Sequence, residues 1–158
     1  MPGSLSARNN AYSLLHELLG QEKDVGLLRF IKSEQPVTKQ LVKKIGATCG
    51  TNAKLLEKFA KDDPTLRLDD VRLPPAEVAV RESISTDRRK QLLSQTGATF
   101  DLTLLLTQVE ALGYAAHLAK ISEQFELKPD RRRELAMMNA GLKNLEAEVF
   151  SLLLAKPK

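Results

Sequence analysis

Tryptophan is missing, and two tyrosines and five phenylalanines are all the aromatics there are. Few rings are therefore available to stack on bases, and no nucleic-acid motif is present. The net charge of +4 is spread over three clusters: Lys39, Lys43 and Lys44; Arg88, Arg89 and Lys90; and Arg131, Arg132 and Arg133. Each has acidic neighbours or sits where a helix begins or ends. All three read as solvated surface, and no nucleic-acid partner is expected.

Cysteine is reduced to Cys49, so no intrachain disulfide can form. It lies in the small-residue run Gly46-Ala47-Thr48-Cys49-Gly50. That setting reads as the filler of a tight helix contact rather than as a nucleophile. Only two histidines occur, His16 and His117, and nowhere does Glu-x-x-His occur. Glu110 and His117, seven positions apart on nearly one helical face, are the only candidates for a metal site, and two ligands are too few. No catalytic residue, metal or cofactor is assigned. The G-x-S-x-G elbow, the P-loop and the dinucleotide-binding glycine pattern are all lacking.

Long apolar runs are also lacking. None approaches the roughly 18–20 residues that a membrane span needs, and none alternates with period two as a strand would. Met1-Pro2-Gly3-Ser4 has neither the basic nor the apolar region of a signal peptide.

What remains is helix. Leu, Ala, Lys and Glu dominate, and 158 residues suffice for one domain with a real core. Residues 1–5 read as a loose tail. A first helix is expected over 6–33, started by Ser6 and bent or broken near Gly20. A second is expected over 37–62, with Leu41, Ile45, Cys49, Asn52, Leu56 and Phe59 on its face. Residues 63–75, with three prolines, read as an extended crossing anchored by Leu66, Leu68, Val71 and Leu73. A short helix over 76–94 follows, closed by Gly97.

The longest apolar helix is expected over 98–124. Leu102, Leu105, Val109, Leu112, Ala116 and Ala119 form one row, and Phe100, Leu104, Ala111, Ala115 and Leu118 form another. Two rows predict burial over most of its surface. A last helix, 130–155, carries Leu135, Met138, Leu142, Leu145, Val149 and Leu152 at alternating spacings of three and four, a bundle seam. Gly46, Gly50, Gly113 and Gly141 fall inside helices and predict close helix approach. Asn52 and Asn139, on or near core faces, are candidates to bond across helices. Tyr114, Gln108 and Glu110 are candidates to line a small pocket.

These elements predict a single all-α domain: a ferritin-like four-helix bundle of two antiparallel hairpins joined by a long crossover with an extra short helix.

Thr96-Gly97-Ala98-Thr99-Phe100-Asp101 followed by Leu104-Leu105 resembles the SGxxFDxxYL segment of a bacterial domain-of-unknown-function family of exported ferritin-like bundles, loosely called outer-membrane proteins. Asn52-Ala53-Lys54-Leu55 is similar to that family's HxxxNxxL helix. Asn9-Asn10-Ala11 and Leu106 to Leu112 are similar to its small exported proteins or lipoproteins. The departures are Thr48 and Leu112, where the family often has histidine, and Leu104, where it has tyrosine. The resemblance implies a native export signal in place of Met1 to Ser4, and the periplasm or cell envelope as compartment.

The function expected is non-enzymatic: a helical bundle of the bacterial envelope acting through contacts with an unknown protein partner, or as a structural accessory. A homodimer is compatible with it. The alternative is a degenerate ferritin-like binder of metal or a small ligand that uses Glu110, His117 and the bundle interior.

Overall fold

The computed structural model describes residues 2–32 and 35–155, with side chains described for 5–24 and 35–155. Five helices follow one another: α1 (Pro2–Lys32), α2 (Pro36–Asp62), α3 (Pro75–Ser94), α4 (Gly97–Phe125) and α5 (Pro129–Ala155). Among the described residues there is no strand. The protein is an all-α helical bundle.

Four of the five helices open on proline. Proline suits a first turn, because its fixed φ is already helical and the missing N–H has no intrahelical partner there. α1 thus begins at Pro2, and residues 2–5 are helix rather than tail. Ser6 is not its cap; its Oγ accepts a hydrogen bond from Arg72 Nη1 at 3.1 Å. α1 also runs through Gly20 without a break. Gly97 does not close α3, which ends at Ser94. It opens α4 with φ of 60°, a left-handed turn that glycine makes without strain.

Arg8 near the start of α1, Asp63 after α2, Glu126 after α4 and Arg131 near the start of α5 meet at one end of the molecule. α1 and α2 are therefore antiparallel, as are α4 and α5, while α2 and α4 run parallel. α4 packs on α1, α5 and α3, and α2 packs on α1 and α5. α3 lies antiparallel along the outside of α4, since Arg81 meets Tyr114 and Arg88 meets Glu110.

The main core draws on α1, α2, α4 and α5, with Leu66 of the crossing segment. Tyr12, Leu15, Leu19, Ile45, Leu56, Leu105, Leu112 and Leu142 are all nearly or wholly sealed. Close-packed aliphatic side chains are its main source of stability, at about 1.5–3 kcal/mol for each fully buried one. The seam of α5 is buried from Leu135 to Val149, with Leu152 packed at its edge. A smaller cluster of Val42, Leu92, Phe100 and Leu104 joins α2, α3 and α4 at the opposite end.

Several expectations need correcting. α4 is not covered on most of its surface: Leu102, Leu106, Tyr114 and Ile121 are exposed. α3 is short of other elements and buries only Leu92, so one side of α4 has just a thin cover. Val71 is exposed, and Leu66 is the buried anchor of the crossing. Gly46 and Gly141 are not close contacts, because a Cβ at either would meet nothing within 4 Å. Asn139 makes no cross-helix bond through its Oδ1, which is buried without a protein partner. Lys156 and Lys158, which follow the last helix, lie outside the described residues.

Candidate functional site: a buried ionic cluster at one end of the bundle

The crossing segment is extended, so its backbone groups must find partners outside regular structure. The polar side of α1 supplies them. Arg8 Nη2 donates to the Thr65 carbonyl at 2.8 Å, and Asn9 Nδ2 to the same carbonyl at 3.1 Å. Ser13 Oγ donates to the Arg67 carbonyl and accepts from the Asp70 amide, at 3.1 and 2.9 Å. Asn10 Nδ2 donates to the Asp70 carbonyl at 3.0 Å. The Asn9-Asn10 pair is thus a clamp on the chain that leaves α2.

Asp63 folds the first turn of that segment. Its Oδ1 accepts from the Thr65 amide at 2.9 Å and from the Thr65 hydroxyl at 2.7 Å. Asp-x-Thr makes this local turn because a short carboxylate reaches the amide two residues on. The other oxygen, Oδ2, accepts from Arg131 Nη1 at 2.7 Å, with Arg8 Nη1 at 4.0 Å and Lys128 Nζ at 3.9 Å.

Glu126 is the second anion, with only 1% of its surface exposed. Arg131 contacts it through Nε and donates from Nη2 at 3.3 Å. Tyr12 donates its phenol hydrogen to Oε1 at 3.2 Å, and Arg8 Nη1 stands 4.0 Å from Oε2. Two arginines therefore face two carboxylates in a space closed by Tyr12. Arg131 is buried, unlike Arg132 and Arg133, so the Arg131–Arg133 cluster is not solvated surface throughout.

Burial sets the electrostatics. The Thr65 hydroxyl, followed by Arg131, holds the Asp63 carboxyl far below the usual carboxylate range. Burial, followed by the negative charge of Glu126, pushes the Tyr12 phenol well above its ordinary value. Asp63 stays ionised and Tyr12 stays protonated across the physiological range. Neither group is poised near neutral pH, as a general acid or base would be.

The residues singled out from the sequence lie elsewhere. Glu110 is on the outer side of α4, and both its oxygens accept from Arg88 Nη2, at 3.3 and 3.4 Å. His117 is exposed on the same helix. Neither enters the interior, and the structure does not bring them together with further ligands. Among the described residues no group of three or more His, Cys, Asp or Glu could hold a metal ion. His16 pairs with Glu57 at 3.0 Å across α1 and α2. Gln108 is buried while Tyr114 and Glu110 are exposed, so these three form no common pocket. Cys49 is sealed in the core, and burial, followed by the Glu22 carboxylate, pushes its thiol up to about 12. It is no nucleophile at neutral pH.

Comparisons with protein-family models, with curated proteins and with solved structures give no match. The function is therefore read from the chain's own residues.

Proposed function

We infer that the protein is a non-enzymatic helical bundle that acts by binding a helical segment of a partner protein along the face formed by α3 and α4. One observation carries this reading: the buried charged groups at one end of the bundle pair with one another, while large apolar side chains are left outside. Arg8, Asp63, Glu126 and Arg131 satisfy one another. Val80, Ile84, Leu102 and Leu106 stand 43–53% exposed on α3 and α4.

The cover over this face is light. Arg81 bonds Glu77 and the Tyr114 hydroxyl, and its guanidinium sits 5.1 Å from the Tyr114 ring centre. Arg88 bonds Glu110. Such exposed pairs contribute about 0–1 kcal/mol each. Away from buried Leu92, α3 thus leaves apolar surface for an amphipathic helix.

The connectivity of two antiparallel hairpins and a long crossover supports grouping the fold with ferritin-like bundles. The likeness of Thr96 to Asp101 to an exported family supports the bacterial periplasm or cell envelope as compartment. Fractionating the cells that make the protein tests the compartment.

Photo-crosslinking tests the docking face. A photoreactive residue at Ile84 or Leu106 is expected to give one defined protein adduct, and the same residue at Glu148 of α5 none. Equal adducts at all three positions, or none at any, would contradict the reading.

A further inference from the structure

α3 has almost no buried side. Leu92 is buried, Arg81 and Arg88 are partly buried, and the other 17 of its 20 residues are exposed. Its apolar side chains share in this: Val78, Val80, Ile84 and Leu93 are 38–73% exposed. A helix in a folded protein ordinarily owes its stability to a packed apolar face. α3 has Leu92 near one end and little else of that kind.

Its own residues do not make up the difference. Val78, Val80, Ser83, Ile84, Ser85, Thr86 and Asp87 fill most of its first two-thirds. All are weak helix formers, because β-branched side chains lose rotamers against the preceding turn and Ser and Asp bond the backbone in other conformations. The bonds from Arg81 to Tyr114 and from Arg88 to Glu110 are exposed and add little.

The chain is fixed on both sides of this helix. Before it, the Arg72 carbonyl accepts from Asn10 Nδ2 at 3.4 Å and Arg72 Nη1 donates to Ser6 Oγ at 3.1 Å, which pins the crossing to α1. At its far end Leu92 is packed with Val42, Phe100 and Leu104. As a helix, the stretch from Pro75 to Leu92 spans roughly 26 Å, at about 1.5 Å per residue. A flexible chain of the same length averages roughly 21–25 Å from end to end. Helix and coil fit between the same two anchors, so α3 can lose its helix without moving either.

We propose that α3 is a conditional helix: it opens and recloses by local unfolding between Arg72 and Leu92 while α1, α2, α4 and α5 stay folded, and only its closed form completes the docking face. The opening needs no partner. Its coupling to docking rests on the function proposed above, because Val80 and Ile84 of that face belong to α3 and Leu102 and Leu106 to α4. A partner that touches both helices binds the closed form alone and so draws α3 closed.

Native-state hydrogen exchange on the full chain tests the opening. Amides of residues 79–91 are expected to exchange at least about a hundredfold faster than those of α4 and α5, at a rate that low urea barely changes, because the opening exposes little buried surface. Proline in the middle of a helix breaks it. Ser85→Pro is therefore expected to remove α3 and still leave a folded bundle, with a melting temperature lower by no more than about 4 °C. Lys143→Pro, at an equally exposed position of α5, is expected to unfold the protein. Exchange in α3 as slow as in α4, or unfolding by Ser85→Pro as complete as by Lys143→Pro, would overturn the opening. Photo-crosslinking from Leu106 then reads the coupling: Ser85→Pro is expected to abolish the adduct, and an adduct that persists would overturn the coupling. No adduct even without Ser85→Pro would overturn the docking reading and the coupling with it, while the opening is decided by exchange and by Ser85→Pro.

Discussion

Arg131 Nη1 donates to Asp63 Oδ2 at 2.7 Å, tying the first turn of α5 to the residue that ends α2. Both side chains are about nine-tenths buried. α2 and α5 pack on each other only sparsely elsewhere, so this pair and the exposed Lys44–Glu148 bridge are the main polar ties between them.

Asp63→Asn removes the charge that Arg131 and Arg8 share and leaves two cations facing Glu126 alone. The expected loss is about 3–5 kcal/mol, typical of breaking a buried pair from one side. Urea denaturation measures it. Asp63→Asn combined with Arg131→Met is expected to cost less than the sum of the single changes, by roughly 1–3 kcal/mol, because the two act as one unit. Strict additivity would contradict the pairing.

Stability is expected to fall at both extremes of pH. The folded Asp63 carboxyl titrates below its unfolded counterpart, so its contribution is complete above pH of about 4 and drains away as pH drops toward the folded value. The Tyr12 phenol titrates above its unfolded counterpart. Its contribution is complete below pH of about 10 and drains away as pH rises toward the folded value. Denaturation across pH should show Asp63→Asn flattening the acid limb and Tyr12→Phe flattening the alkaline one.

Cys49 is expected to resist thiol reagents while the protein is folded. The thiol is wholly buried and titrates near 12. Labelling at neutral pH should proceed only through unfolding, so its rate should climb with urea up to the denaturation midpoint. Prompt labelling in native buffer would contradict the burial.

Gly46→Ala and Gly141→Ala are each expected to stabilise the protein by about 0.5–1 kcal/mol. Both glycines are helical and a Cβ at either meets nothing within 4 Å, so the lower entropy of the unfolded chain decides the sign. Gly113→Ala is expected to gain less, because its Cβ would press on the Glu146 carboxylate, which must swing away. Melting temperatures measure all three.

Amide hydrogen exchange is expected to rank α3 below α4 and α5 in protection. α3 spans 20 residues and buries one, Leu92, and its bonds from Arg81 and Arg88 to α4 are exposed. Segments with few buried contacts open locally.

The regular part of this architecture is legible in the sequence. The three-four spacing from Leu135 to Val149 is the seam of α5, and Leu41, Ile45, Cys49 and Leu56 line α2. α4 is less legible. Its apolar residues run around most of the helix, so periodicity alone cannot show that Leu102 faces out and Gln108 faces in. The ionic cluster is illegible for another reason. Arg8, Asp63 and the Glu126–Arg131 turn come from three distant stretches, and each residue reads locally as an ordinary charge near a helix end. Only Asp63-x-Thr65 carries a short-range signal, a carboxylate spaced to fold its own turn.

The central claim is that the ionic cluster holds the bundle together while the α3–α4 face meets a partner. One crosslinking series, with the photoreactive residue at Val80 and run below every variant's melting temperature, tests both halves. Ile84→Glu with Leu106→Glu is expected to abolish the partner adduct at an unchanged melting temperature, and Asp63→Asn to lower the melting temperature while keeping the adduct. An adduct that survives the two glutamates, or that Asp63→Asn destroys in a still-folded protein, would contradict it.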